Sequence, residues 1–245
     1  MIIDTIKNSN NKRYFFIPFF LIIFHLILII FWPYSSFLVK IPPEIAQGLS
    51  NPNEYSPAEI SEAIFYFIAI ITSLKNLLIF KSERKIYFFI FLISFILFAE
   101  ETSWMTHYLN YSIPIIENIN AQNEVNIHNL FFFQGGSLRD GNFSLDYLLK
   151  SQNLFRILFC FYFFLLPLIS QKKVFKKYFK KYIFLKPSKN FIISLVITLS
   201  FSIVITLIYG YNSPLKNPIA ELRELIYSAY ICFYILDLRK PYKLS

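Results

Sequence analysis

Residues 86–107 read IYFFIFLISFILFAEETSWMTH, an apolar run that carries two carboxylates near its end. A run of this length can cross a hydrocarbon core about 30 Å thick, which needs roughly 20 residues. Ionised groups are costly in lipid, so acids in such a run usually face a bundle interior and serve a function. Glu100 and Glu101 therefore point to a membrane helix with a polar site near one end.

The rest of the chain has the composition of a membrane protein. Apolar residues make up 56% of its 245 residues, and the mean hydropathy is +0.48. We expect an all-α polytopic protein with a single integral membrane domain over residues 1–245 and outer loops at 35–59 and 108–153. About six transmembrane helices are predicted, at 14–32, 60–80, 86–106, 154–170, 191–209 and 219–238.

The distribution of charge predicts the orientation of these helices. If the chain crosses the membrane at these six helices, 18 of the 24 basic residues and three of the 15 acids lie on the same side of the membrane. This asymmetry fits the positive-inside rule with both termini cytoplasmic, and we expect a multi-pass protein of a bacterial plasma membrane. The predicted partners are the lipid bilayer and, through the amphipathic segment 172–186, anionic lipid of the cytoplasmic leaflet. No nucleic-acid-binding element is visible, and the sequence indicates no protein partner.

Two predicted helices carry acids at the same depth. Glu100 lies 14 residues after Ile86, and Glu224 lies 14 residues before Leu238. Each is therefore about 21 Å into its helix, roughly 9 Å beneath the outer edge of the core. In a continuous helix Glu100 would also share one face with Ser103, Trp104 and His107. The alternative is a membrane that begins one turn earlier, with these groups among the lipid headgroups.

A second polar cluster follows in the predicted outer loop 108–153. Glu124 and His128 are four residues apart and face the same way on either a helix or a strand, with Asn129 beside them. Glu and His at this spacing can bind a divalent metal or act as a base and its orienting partner. Solvated loop residues are the alternative interpretation.

These motifs together resemble a family of uncharacterised bacterial integral membrane proteins. The family pattern is EExSWGQ, a short loop, and then NxQxExNxHN. This chain matches the first part with Glu100-Glu101-x-Ser103-Trp104. It matches the second part with Asn120-x-Gln122-x-Glu124-x-Asn126-x-His128-Asn129. It departs from the pattern with Met105-Thr106-His107, where Gly-Gln is expected. The resemblance implies a polytopic membrane protein and supplies no activity.

Three hypotheses about function remain open at this point. The first is a metal-dependent or acid–base enzyme acting on a lipid or lipid-linked substrate near the extracytoplasmic face. The second is a transporter or proton-coupled channel that uses the same acids as a relay. The third is a non-catalytic assembly or structural protein. The catalytic candidates are Glu100, Glu101, Glu124, His128 and Glu224, supported by Ser103, His107 and Asn129; the candidate ligands of a divalent metal are Glu100, Glu124, His128 and Glu224.

Overall fold

A computed structural model describes a large part of the chain, in two compact units. The units are Met1–Thr72 with Pro187–Arg239, and Ser73–Lys186 with Lys240–Ser245. Most of the predicted first outer loop 35–59 and of the amphipathic segment 172–186 lies outside the described residues, although residues 57–59 are helical. The described residues are 16–17, 20–23, 57–109, 111–120, 125–128, 130, 150–169, 185–209 and 216–238.

In the part of the chain that the structure describes, the regular structure is helical, and the β contact there is one antiparallel bridge between Asn120 and Leu130. A π-helical turn, Phe161–Leu165, joins the helix Ser151–Cys160 to the helix Leu166–Ile169. The helices are α1 (Pro57–Ile79), α2 (Arg84–Glu101), α3 (Thr106–Leu109), α4 (Pro114–Glu117), α5 (Ser151–Cys160), α6 (Leu166–Ile169), α7 (Lys189–Tyr209) and α8 (Lys216–Asp237).

Within the described ranges, three stretches of helix are long and apolar enough to cross a membrane. They are Ile60–Ile79, Ser151–Ile169 and Lys189–Ile208, with mean hydropathies of 1.6, 1.7 and 2.7. Each has about 20 residues and so rises about 30 Å, which matches the hydrocarbon thickness. The all-α class and an association with the membrane are thus supported by length and composition.

The first unit contains a helical hairpin in which α7 and α8 run antiparallel. At one end the Tyr230 hydroxyl lies 2.7 Å from the Ser194 hydroxyl and 2.8 Å from that of Thr198. At the other end Arg223 donates from Nη2 to Thr206 Oγ1 at 2.9 Å. Hydroxyls at interfaces between membrane helices hydrogen-bond across them in this way.

The direction of the hydrogen bonds around Tyr230 follows from the count of protons. Thr198 donates from Oγ1 to the Ser194 carbonyl at 3.0 Å, which uses its only hydroxyl proton. Thr198 must then accept from Tyr230, so the Tyr230 oxygen accepts from Ser194. All three hydroxyls donate, and the chain ends on a backbone carbonyl.

Helix α1 buries polar side chains along one face. Glu62, Ser73 and Asn76 are each 2% exposed or less, and Ala69 lies between them on the same face. At its first-unit end, the Phe65 ring packs 5.9 Å from that of Phe233 on α8. This face is the side of α1 that packs against protein.

In the second unit, aromatic contacts hold the ends of neighbouring helices. Phe80 stacks on Tyr87 at 5.4 Å, which closes the turn between α1 and α2. Along α5 and the π-helical turn, Phe159 packs against Phe163 at 4.6 Å. Tyr162 donates its hydroxyl to the Leu185 carbonyl at 3.2 Å.

Helix α2 ends earlier than the sequence predicts. Its last residue is Glu101, and Ser103, Trp104 and Met105 have φ of 45°, 55° and 64°. Three consecutive left-handed residues reverse the local turn, so the prediction of one helical face through His107 is wrong. The reason is that side-chain and loop contacts in this region override the local helical pattern.

Candidate functional site

The C-terminal end of α2 carries a carboxylate that several donors surround. Glu100 Oε2 accepts from the backbone N–H groups of Ile127 at 2.8 Å and His128 at 3.0 Å. The same oxygen lies 3.2 Å from His128 Nδ1. Oε1 accepts from the Trp104 indole nitrogen at 2.7 Å. One side chain therefore fixes a segment 27 residues further along the chain.

The left-handed turn explains how Trp104 reaches Glu100. Residues with positive φ are unfavourable unless glycine, and each costs about 1–2 kcal/mol. The turn persists because it is held from both sides: the Met105 backbone N–H donates to the Thr102 carbonyl at 2.8 Å, and the Tyr111 hydroxyl donates to the Trp104 carbonyl. The turn directs the indole N–H back towards the carboxylate.

Two buried amides support the segment that holds Glu100. Asn120 donates from Nδ2 to the Asn126 carbonyl at 2.7 Å and to its side-chain oxygen at 2.8 Å. Asn126 in turn donates to Ser103 Oγ at 3.4 Å. All three side chains are 2% exposed or less. The bridge between Asn120 and Leu130 closes the base of this loop.

The contacts of Glu100 match what a carboxylate can accept. Its two oxygens offer about four acceptor positions, and of the four donors above three lie on Oε2 and one on Oε1. Because an ionised carboxylate only accepts, the proton between the two side chains belongs on His128 Nδ1. Nε2 then carries the lone pair, as in a base oriented by an acid. The Glu100 side chain is 14% exposed and that of His128 is 42% exposed, so the ring faces outward.

The predicted metal ligands are only partly described. Among the described residues, no three His, Cys, Asp or Glu side chains are close enough to hold a metal ion. Glu124 and Asn129 lie outside the described residues, as does the side chain of His107. Because Glu100 Oε2 already contacts His128 Nδ1 and two backbone N–H groups, Glu100 is suited to orient a metal-binding His128.

Two further acids of the predicted set lie on described helices, α2 and α8. Glu101 is half-buried at the last turn of α2. Glu224 is half-buried on α8, in the first unit, beside Arg223 in sequence. The structure thus brings together Glu100, Ser103 and His128 of the predicted set, and joins to them Trp104, Asn120 and Asn126.

Sequence reasoning missed Glu62, a carboxylate that is 1% exposed on α1. Glu62 is the third residue of the predicted span 60–80, where an acid is typical of a helix end. The available signal was its spacing from Tyr66, Ala69, Ser73 and Asn76, which places all five on one helical face.

No family model, curated protein or solved structure matches this chain.

Proposed function

We propose that this chain is a six-span integral membrane protein of a bacterial plasma membrane, with both termini cytoplasmic and an acid–base site at its extracytoplasmic face. The site would act on a lipid or lipid-linked substrate. The observation that carries the proposal is the contact between His128 Nδ1 and Glu100 Oε2 at 3.2 Å, on a carboxylate whose other donors fix its position.

The chemistry of this pair is proton transfer. With the proton held on Nδ1 by Glu100, Nε2 of His128 can accept a proton from a hydroxyl or water. The carboxylate then stabilises the imidazolium that forms. Two further backbone donors keep Glu100 in place during the transfer, which is the preorganisation that such a step requires.

A divalent metal bound at this site is the second form of the proposed chemistry. His128 would bind the ion through Nε2, with Glu100 orienting the ring through Nδ1. Glu124 and Glu224 are the further ligands that the sequence predicts. Metal analysis of the purified protein tests this route, since His128→Ala should remove a stoichiometric ion and Asn118→Ala, an exposed amide nearby, should retain it.

A lipid-turnover assay tests the enzymatic role. The purified protein is incubated in vesicles of total bacterial lipid, and the lipids are analysed by mass spectrometry. We expect one or more lipid species to change with the wild-type protein and to remain unchanged with His128→Ala. A lipid profile that is the same with both proteins would overturn the enzymatic proposal.

A structural role is the second candidate, and the four donors around Glu100 favour it. A carboxylate with four donors, beside three buried polar side chains, locks residues 125–128 onto α2 even where no chemistry takes place. Transport is less well supported, since the hydroxyl chains on α7 end on the backbone carbonyls of Ser194 and Ser202. A carbonyl has no proton to pass on.

The contact between Phe65 and Phe233 gives a strict test of the six-span arrangement. Six spans make α1 and α8 run in the same direction, with Phe65 about 8 Å and Phe233 about 21 Å from the outer edge of the core. The rings are 5.9 Å apart, so α1 would have to be displaced by about 13 Å relative to α8. Opposite directions would place both residues at equal depth.

Labelling of single cysteines in intact cells decides between these arrangements. The background replaces Cys160 and Cys232 with serine, and Ser82→Cys and Ser245→Cys report the two helix ends. Six spans predict that an impermeant maleimide labels neither position from outside. Labelling of one position and not the other would show that α1 and α8 run in opposite directions, and the six-span proposal would then be replaced.

A further inference from the structure

The segment that follows α2 has an inverted distribution of polarity. Among the described residues of this segment, the buried side chains include the polar Ser103, Asn120 and Asn126, and Val125 is the apolar one. Its outward-facing side chains include four large aliphatic ones. Their exposed fractions are 65% for Leu109, 80% for Ile115, 51% for Ile119 and 48% for Ile127.

A segment surrounded by water shows the opposite pattern, because apolar side chains gain free energy when they leave water. A segment in lipid must satisfy its polar groups internally and can expose aliphatic ones. The hydrogen bonds from Asn120 to Asn126 and from Asn126 to Ser103 satisfy these polar groups internally. The four aliphatic residues are the exposed apolar side chains that such an environment accepts.

The charges of this segment fit a lipid environment as well. The chain has no lysine or arginine between Lys85 and Arg139. Glu117 is held locally, since it accepts from the Ser112 hydroxyl at 2.7 Å and from the Ile113 backbone N–H at 3.1 Å. These contacts hold the Glu117 carboxylate against the residues that precede α4. Ile115 and Ile119 are four residues apart and face outward together.

The position of the segment indicates which apolar partner it meets. Residue 106 begins α3 only five residues after α2 ends, so the segment cannot be far from the surface from which α2 emerges. Trp104 and Tyr111 mark this junction, and the Tyr111 hydroxyl donates to the Trp104 carbonyl while its ring stays exposed. Both residue types concentrate at membrane–water interfaces.

We propose that the described part of residues 106–127 lies in the outer leaflet, where Leu109, Ile115, Ile119 and Ile127 contact acyl chains. The insertion presents the Glu100–His128 pair at the level of the lipid headgroups, because Ile127 adjoins His128 and donates its own N–H to Glu100. This inference rests on the proposed function in two respects. The proposed function supplies the side of the membrane on which the segment lies, and it supplies the class of substrate, a bilayer lipid.

Site-directed spin labelling tests the insertion directly. A nitroxide is attached at Ile115→Cys or Ile119→Cys in the Cys160→Ser, Cys232→Ser background, and the protein is reconstituted in phosphatidylcholine and phosphatidylglycerol vesicles. We expect the label to collide several-fold more with oxygen than with a polar nickel chelate. Ser82→Cys is the control, an exposed polar position in the turn between α1 and α2 that should favour the chelate.

Each outcome of the labelling decides something. Equal access of the nickel chelate at positions 115 and 82 would overturn the insertion. Protection from both reagents at position 115 would also overturn it, since the surface would then be covered by protein. Labels in lipid together with an unchanged lipid profile would leave the insertion standing and remove the enzymatic proposal.

Tryptophan fluorescence gives a measurement that needs no cysteine. The chain has two tryptophans, so Trp32→Phe leaves Trp104 as the only one. We expect its emission to be quenched more by lipids brominated near the headgroup than by lipids brominated near the chain end. Emission that no brominated lipid quenches would place Trp104 in water and contradict the proposal.

Discussion

The α7–α8 hairpin and the α2 site both depend on polar groups, but they distribute them differently. In the hairpin, each hydroxyl contacts one or two others, as Tyr230 does with Ser194 and Thr198. At the end of α2, one carboxylate accepts from Ile127, His128 and Trp104 together. A network that converges on one residue is more vulnerable to a single substitution than one that is spread along a helix.

Glu100→Ala should therefore have the largest effect. The change leaves three donor-bearing residues without their acceptor, and each unsatisfied buried donor costs about 1–3 kcal/mol. Since some of these donors are partly exposed, we expect a loss of about 2–4 kcal/mol in the free energy of unfolding. Unfolding by SDS titration in mixed micelles, followed by circular dichroism, measures it.

Two substitutions control for this result. Glu100→Gln keeps one accepting oxygen and should recover part of the loss. Glu83→Ala removes a carboxylate that bonds its neighbour Ser82, and should change little. A Glu100→Ala protein as stable as the Glu83→Ala protein would show that the contacts around Glu100 do not hold the segment.

The hairpin should lose less from any one change. Tyr230→Phe removes one hydroxyl and keeps the ring, and hydrogen bonds between membrane helices average about 0.6 kcal/mol with a maximum near 1.7 kcal/mol. We expect a loss of about 1 kcal/mol, measured by the same titration. Ser194→Ala should resemble it, whereas Ser200→Ala, at an exposed position of α7, should be neutral.

Equal losses for Ser194→Ala and Ser200→Ala would contradict the assignment of the buried hydroxyl face. A loss for Tyr230→Phe as large as that for Glu100→Ala would remove the contrast between converging and distributed networks.

The two regions also differ in how far the sequence predicts them. Apolar length alone indicates the helices of the hairpin, and the pairing of Ser194 with Tyr230 follows once the two helices are adjacent. The acids of α2 and the polar loop are visible in the sequence too, and both contribute to the site. The left-handed turn at Ser103–Met105 is not visible, because none of the three residues is glycine and the helical spacing continues through them.

The reason for this limit is physical. Local propensity describes a residue's preference in isolation, whereas the turn is set by contacts with distant residues such as Asn126, 23 positions after Ser103. The same limit applies to Glu62, whose burial depends on which helices surround α1. The equal depth of Glu100 and Glu224 stays a prediction, as does the role of Glu124.

Met105→Gly should have a smaller effect and the opposite sign. Met105 has φ of 64°, a conformation that glycine adopts without a penalty from Cβ. We expect a gain of about 0.5–1 kcal/mol in the free energy of unfolding. The matched control is Met105→Ala, which keeps Cβ and should show no such gain. Stability that falls in the glycine variant would mean that the left-handed turn is not present in the membrane.

His128→Ala should have the smallest effect on stability, although it alters the centre of the site. The backbone N–H groups of residues 127 and 128 still reach Glu100 Oε2 after the ring is removed, so most of the lock survives. We expect a loss below about 0.5 kcal/mol, as for most substitutions of partly exposed side chains. Measured beside Glu100→Ala and the lipid-turnover assay, this variant separates the two candidate functions. Turnover that is lost while stability is kept shows that the ring does chemistry, whereas a loss of stability as large as that of Glu100→Ala shows that the ring belongs to the lock.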